Sequence, residues 1–197
     1  MHTVGWRGGR DEIGDRYAEI RIDQLVLSAI IGRRDTRWSG NEDGLLIFQI
    51  GGSITTDAIS AAYTILFNPK KKLSQNCIIS QHEAPEIKKN VVSYHDIERI
   101  SDHLIDWATN IDIDAGLKEL RELPTDSLGD MPARLLAALA EAGEVETLER
   151  YQRSFAYRDC LGFVPYITDK FIDRALEFAR QRREDPKWLP AKPRLRV

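Results

Sequence analysis

The stretch Gly44–Phe67, GLLIFQIGGSITTDAISAAYTILF, constrains the fold of this chain more than any other. An apolar run, Leu45 to Ile50, meets the paired glycines Gly51-Gly52 and a polar Ser53-Ile54-Thr55-Thr56-Asp57 segment. Apolar residues then resume at Ala58, Ile59, Ala62, Tyr63, Leu66 and Phe67, the three-and-four spacing of one helix face. The pattern predicts a strand, a glycine turn and a helix. Asn68-Pro69 stops that helix, because proline cannot continue it and disfavours the helical state in the residue before it.

The flanking segments sort by period. Residues 1–10 are rich in Gly and Arg and predict an irregular arm, with Trp6 as its anchor. Tyr17–Ile31 mixes alternation with β-branched residues and predicts two strands, 17–22 and 25–31, turning at Asp23-Gln24. The polar stretch Gly32–Asp43 predicts a loop, and Asn76–Ser80 a short strand broken at His82-Glu83-Ala84-Pro85. Ser93 has the position of a helix cap, followed by a helix with Ile97, Ile100, Leu104, Trp107 and Ala108 as its inner stripe. Leu117–Leu123 predicts a further short helix. Asp130 is placed to cap another, starting Met131-Pro132, which Gly143 ends before a partner helix carrying Val145, Leu148, Tyr151 and Phe155. Thr168 is placed to cap the last helix, and residues 186–197 form a basic tail with Trp188 as its anchor.

Strands followed mostly by helices indicate an α+β fold, with a small mixed or antiparallel sheet from the N-terminal half and a mainly helical C-terminal half packed with it. A chain of 197 residues suits one domain, divided into a sheet-containing half (1–92), a helical half (93–185) and the tail (186–197). Cys77 and Cys160 match no CxxC or zinc spacing and read as buried free thiols. No apolar stretch follows the first basic residues and none is long enough to span a bilayer, so a cytoplasmic protein without membrane attachment is expected.

The glycine junction is the first candidate site, because backbone amides of Gly52, Ser53, Thr55 and Thr56 at a helix start could receive an anion. The Walker lysine and the GxGxxG spacing are both missing, and Asp57 already places negative charge there. A hydrolase arrangement of Ser53 with His82 or His95 lacks a GxSxG elbow. His82-Glu83, His95-Asp96 and Asp102-His103 set imidazoles beside carboxylates, yet no two histidines have ligand spacing on one helix face, so neither a metal nor a cofactor is expected.

The remaining signal is charge. Residues 93–150 hold 14 Asp/Glu against 5 Lys/Arg, a balance of −9, whereas residues 180–197 carry +5. An acidic helical surface with Glu98, Asp102, Asp106, Glu141, Glu144 and Glu146 would attract a basic protein and disfavour nucleic acid. The sequence therefore suggests a non-catalytic interaction protein, immunity-like as in a bacterial toxin pair or chaperone-like. The alternative is a small enzyme with its site at the Gly51-Gly52 junction.

Overall fold

The computed structural model describes residues 5–10, 16–35, 46–67, 77–89 and 91–189. The fold is α+β, with an antiparallel sheet from the N-terminal half and a mostly helical C-terminal half. The chain divides into two compact units: Met1–Thr56 with Ile78–Ile113, and Asp57–Cys77 with Asp114–Val197.

The first unit holds β1 (Arg7–Arg10), β2 (Arg16–Ile22), β3 (Leu25–Asp35), β4 (Leu46–Thr56), β5 (Ser80–Glu83) and β6 (Ile87–Lys89). The sheet order is β1-β2-β3-β4-β5, and β6 also pairs with β4. Because β3 pairs along the whole of β4, β5 and β6 share the other edge of that strand. The β2–β3 hairpin turns where expected, at Asp23, whose φ of 52° is a left-handed conformation that aspartate tolerates. Cross-strand partners share a face, so Ala18, Ile20, Leu27, Ala29, Gly52, Ile54 and His82 all project to one side.

That side receives α2 (Tyr94–Asn110). Its buried residues Ile100, Leu104 and Ala108 recur every four positions. The contact is closest at Gly52. A Cβ built there would lie 2.8 Å from Leu104 Cδ2 and 3.3 Å from the Trp107 ring, so a side chain at that point would have to displace Leu104 and press on Trp107. Beside the contact lies an apolar cavity of about 190 Å³, bordered by Trp6, Ala18, Ala29, Ile50, Ile100 and Leu104. Trp6 is tied to the helix by its indole Nε1, which donates to Ser101 Oγ at 2.6 Å.

The second unit contains α1 (Asp57–Phe67), α3 (Ile113–Arg121), α4 (Met131–Glu141), α5 (Val145–Ala156) and α6 (Asp169–Glu184), of which the first residue of α3 falls in the sheet unit. Helix α4 is central, touching α1, α5 and α6, and its residues Pro132–Ala140 are all buried apart from Arg134. A helix apolar on nearly every side belongs in a core, and its alanines let the neighbouring helices approach closely. Gly143 ends α4 with φ +71°, a conformation costly for other residues, and accepts at its carbonyl from the Arg183 guanidinium. Arg174 Nη1 donates to the Leu66 carbonyl at 2.6 Å, satisfying the C-terminal end of α1 from another helix. Trp188 packs edge-on against Phe178 at 5.2 Å, which anchors the start of the tail as expected.

Several local expectations change. Gly51 and Gly52 do not turn the chain; they continue β4 to Thr56, because pairing on both edges and contact with α2 hold them extended. Within the expected irregular arm, Arg7–Arg10 form β1, since β2 supplies ladder partners and Ser101 a partner for Trp6, while residues 1–4 lie outside the described residues. β3 continues to Asp35, past the expected end at Ile31, and β5 begins at Ser80 and includes His82-Glu83. Trp107 and Ile97 are only partly covered, and Cys160 is exposed rather than buried. Cys77 is buried as expected, and burial pushes its thiol up to about 12, as for an inert core cysteine. The expected strand start at Asn76, the loop 36–43 and the tail beyond Leu189 lie outside the described residues.

The two adjacent glycines should therefore respond oppositely to a side chain. Gly52→Val is expected to lower unfolding stability by about 1–3 kcal/mol through overpacking against Leu104 and Trp107. Gly51 has no described atom within 4 Å of an added Cβ. Gly51→Ala is expected to be neutral or to raise stability by about 0.4–1 kcal/mol, read from urea denaturation midpoints.

Candidate functional site

Helix α2 starts at a complete capping box. Asp96 N–H donates to Ser93 Oγ at 3.2 Å and Ser93 N–H donates back to Asp96 Oδ2 at 3.0 Å. Lys89, at the end of β6, donates to Asp96 Oδ1 at 2.6 Å and ties the helix start to the sheet edge. The Lys89 hydrogen bond, followed by those from the Ser93 hydroxyl and backbone, holds the Asp96 carboxyl well below the usual carboxylate range.

With its start fixed and Ile100, Leu104 and Ala108 turned to the sheet, the other side of α2 faces solvent. Tyr94, Glu98, Asp102 and Asp106 follow one another at four-residue intervals and form a single exposed stripe, with about 6 Å of rise between successive members. Tyr94 is 82% exposed, and Val91 and Ile97 add exposed apolar surface beside it. Glu98 has His95 at 3.7 Å, and Asp106 accepts from Asn110 Nδ2 at 3.2 Å. Among the described residues no Lys or Arg pairs with Glu98, Asp102 or Asp106.

The acidic residues of the second unit are arranged differently. Glu141 pairs with Arg182 at 2.9 Å, both side chains being largely buried. Glu146 receives both arms of the Arg183 guanidinium, one at 2.7 Å, and that bidentate contact pulls its carboxyl down to about 2. Glu149 pairs with Arg180 at 2.8 Å. Glu144 stands exposed before α5 without capping it through its side chain. The negative charge of α4–α5 is thus largely answered by the arginines of α6.

The glycine junction presents little to an anion. The backbone of Gly52–Ile54 pairs with both β3 and β5, so these residues sit inside a ladder rather than at an open helix start. Thr55 is buried, and Thr56 closes the strand directly before Asp57. Strand alternation also separates Ser53 from His82: His82 lies across from Gly52 on the α2 side, and Ser53 points away from it. His95 is exposed on the first turn of α2. His82-Glu83 diverge along β5 in the same way, and Asp96 beside His95 is buried in the cap.

A different pairing was not legible in the sequence. His82 Nε2 lies 2.9 Å from His103 Nε2, and the His82 ring stacks on Trp107 at 5.1 Å with the planes 21° apart. Twenty-one residues separate the two histidines, and only the register of β5 on β4 and the seat of α2 over Gly52 unite them. Among the described residues no three His, Cys, Asp or Glu side chains converge as a metal-binding group, and no helix is long and apolar enough to cross a membrane.

The capping box yields a pH dependence. A carboxyl held low in the folded state contributes its full stability above the ordinary aspartate value of about 3.8 and loses that contribution as pH falls toward the folded value. Asp96→Asn should therefore remove part of the acid-side loss of stability, seen in urea unfolding from about pH 6 to pH 2. At neutral pH, Ser93→Ala should cost about 0.5–2 kcal/mol.

No curated protein and no solved structure matches this chain. A family match does cover residues 1–180, and by it the chain belongs to DUF6990, a family of unknown function.

Proposed function

We propose that this protein is a non-catalytic interaction module that captures a basic protein partner on the exposed stripe of α2. The observation that carries this reading is the alignment of Glu98, Asp102 and Asp106 without Lys or Arg partners among the described residues, whereas Glu141 and Glu146 are occupied by arginines. Like charges four residues apart on a helix destabilise it by a few tenths of a kcal/mol per pair, and a cationic partner would relieve that repulsion. Tyr94, at the head of the stripe, offers the kind of exposed aromatic that anchors an interface core. Flanking carboxylates would then steer the approach of the partner and fix its orientation. A protein that neutralises a toxin, immunity-like, or that chaperones a basic chain would use a surface of this sort, and it would act in the cytoplasm beside that chain.

The enzyme alternative, with Ser53 or Thr56 beside His82 or His95 at the glycine junction, has less support, because Ser53 and His82 face opposite sides of the sheet and His95 lies exposed at the start of α2. Excess negative charge on α2 likewise disfavours nucleic acid.

The test compares pull-downs from the native organism with wild-type protein and a Glu98→Lys/Asp102→Lys/Asp106→Lys variant, followed by calorimetry on the retained protein. The expected result is a basic protein held by wild type, an affinity that falls as salt rises, and about a tenfold or greater loss in the variant. Glu144→Lys should leave that affinity within about twofold. Equal binding by the triple variant, or no protein retained by wild type, would contradict the proposal.

A further inference from the structure

The geometry points to a two-histidine site for an imidazole-preferring divalent transition ion, such as zinc, built by His82 of β5 and His103 of α2. Both ligands are supplied by the first unit, and neither belongs to the carboxylate stripe proposed above.

The ring centroids of His82 and His103 lie 5.1 Å apart with their Nε2 atoms 2.9 Å apart, so the nitrogens meet nearly head-on. A tetrahedral ion about 2.0–2.1 Å from each nitrogen would hold the two nitrogens about 3.3 Å apart. With each lone pair turned toward a shared ion, that geometry leaves the ring centroids about 5.2 Å apart. Each ring therefore has only to pivot, with almost no change in the distance between the rings. In the neutral pair, one Nε2–H donates to the other Nε2. Binding requires the donor ring to move its proton from Nε2 to Nδ1, after which both Nε2 lone pairs face the ion and no net proton is lost. Two further coordination positions are left for water or for an incoming side chain.

The support around the pair suits a ligand site better than an accidental contact. His82 is held by the β4–β5 ladder and by stacking on Trp107, so one ligand is fixed by a strand and an aromatic face. His103 projects from a helix with a complete cap and a buried inner stripe. Asp106 follows three residues later, on the neighbouring surface of the same helix, and lowers the local potential for a cation. His95, one of the other two histidines of the chain, pairs instead with Glu98 and serves as an internal control.

The test titrates the full chain, free of any affinity tag, with zinc sulfate against a chromophoric zinc indicator. Expected are one equivalent bound with a micromolar dissociation constant and a loss of about tenfold or more in both His82→Gln and His103→Gln, with His95→Gln unchanged. Zinc should raise the Tm of wild type but not of His103→Gln, and EDTA should reverse the rise. His103 is exposed, so its substitution keeps the fold, and far-ultraviolet circular dichroism checks that directly. Wild-type binding weaker than about 1 mM, or wild-type affinity retained by both His82→Gln and His103→Gln, would overturn the site.

Discussion

The close seat of Leu104 and Trp107 over Gly52 is the contact on which the rest of the sheet unit depends. With no side chain at Gly52, Leu104 and Trp107 of α2 can approach β4 closely, and the other residues of the helix are arranged around that contact. Ile100 and Ala108 turn inward, Ser101 meets the Trp6 indole, and Tyr94, Glu98, Asp102 and Asp106 are left in solvent. The same seat brings His103 and Trp107 to His82, which stands across the ladder from Gly52. One missing Cβ thus positions both the acidic stripe and the histidine pair.

Charge divides the protein in a way its linear distribution conceals. The acidic excess of residues 93–150 and the basic end of the chain are in part complementary, since Arg180, Arg182 and Arg183 answer Glu149, Glu141 and Glu146 within the helical unit. Exposed pairs such as Arg180 with Glu149 are worth little individually, but they occupy the carboxylates of Glu141, Glu146 and Glu149. On α2, Glu98, Asp102 and Asp106 stand in one line with no such arginine among the described residues. Repulsion between these neighbouring side chains adds nothing to the stability of the helix, in keeping with the partner surface proposed for it.

Local signals in the sequence translated well into structure, except that Asp130 and Thr168 stand at helix starts without making a side-chain cap. Ser93 with Asp96, Pro132 in a first turn and Gly143 after a helix each act through the nearest few residues, and each marks the boundary it implies. The hairpin at Asp23 and the α+β division were legible for the same reason. Features set by distant partners were not. Gly51-Gly52 resembles a turn because glycine weakens strands, and the reason it sits in one lies about fifty residues away on α2. β1 has little strand propensity and is held by β2 and the Trp6–Ser101 bond. The histidine pair joins a strand to a helix through ladder register, which no spacing rule reports.

Carbodiimide footprinting of the protein alone and with its captured partner reads each carboxylate of the proposed α2 surface separately. Glu98, Asp102 and Asp106 are expected to lose reactivity in the complex while Glu144 reacts as before. Unchanged labelling of the three α2 carboxylates in a fully formed complex would contradict the proposed surface.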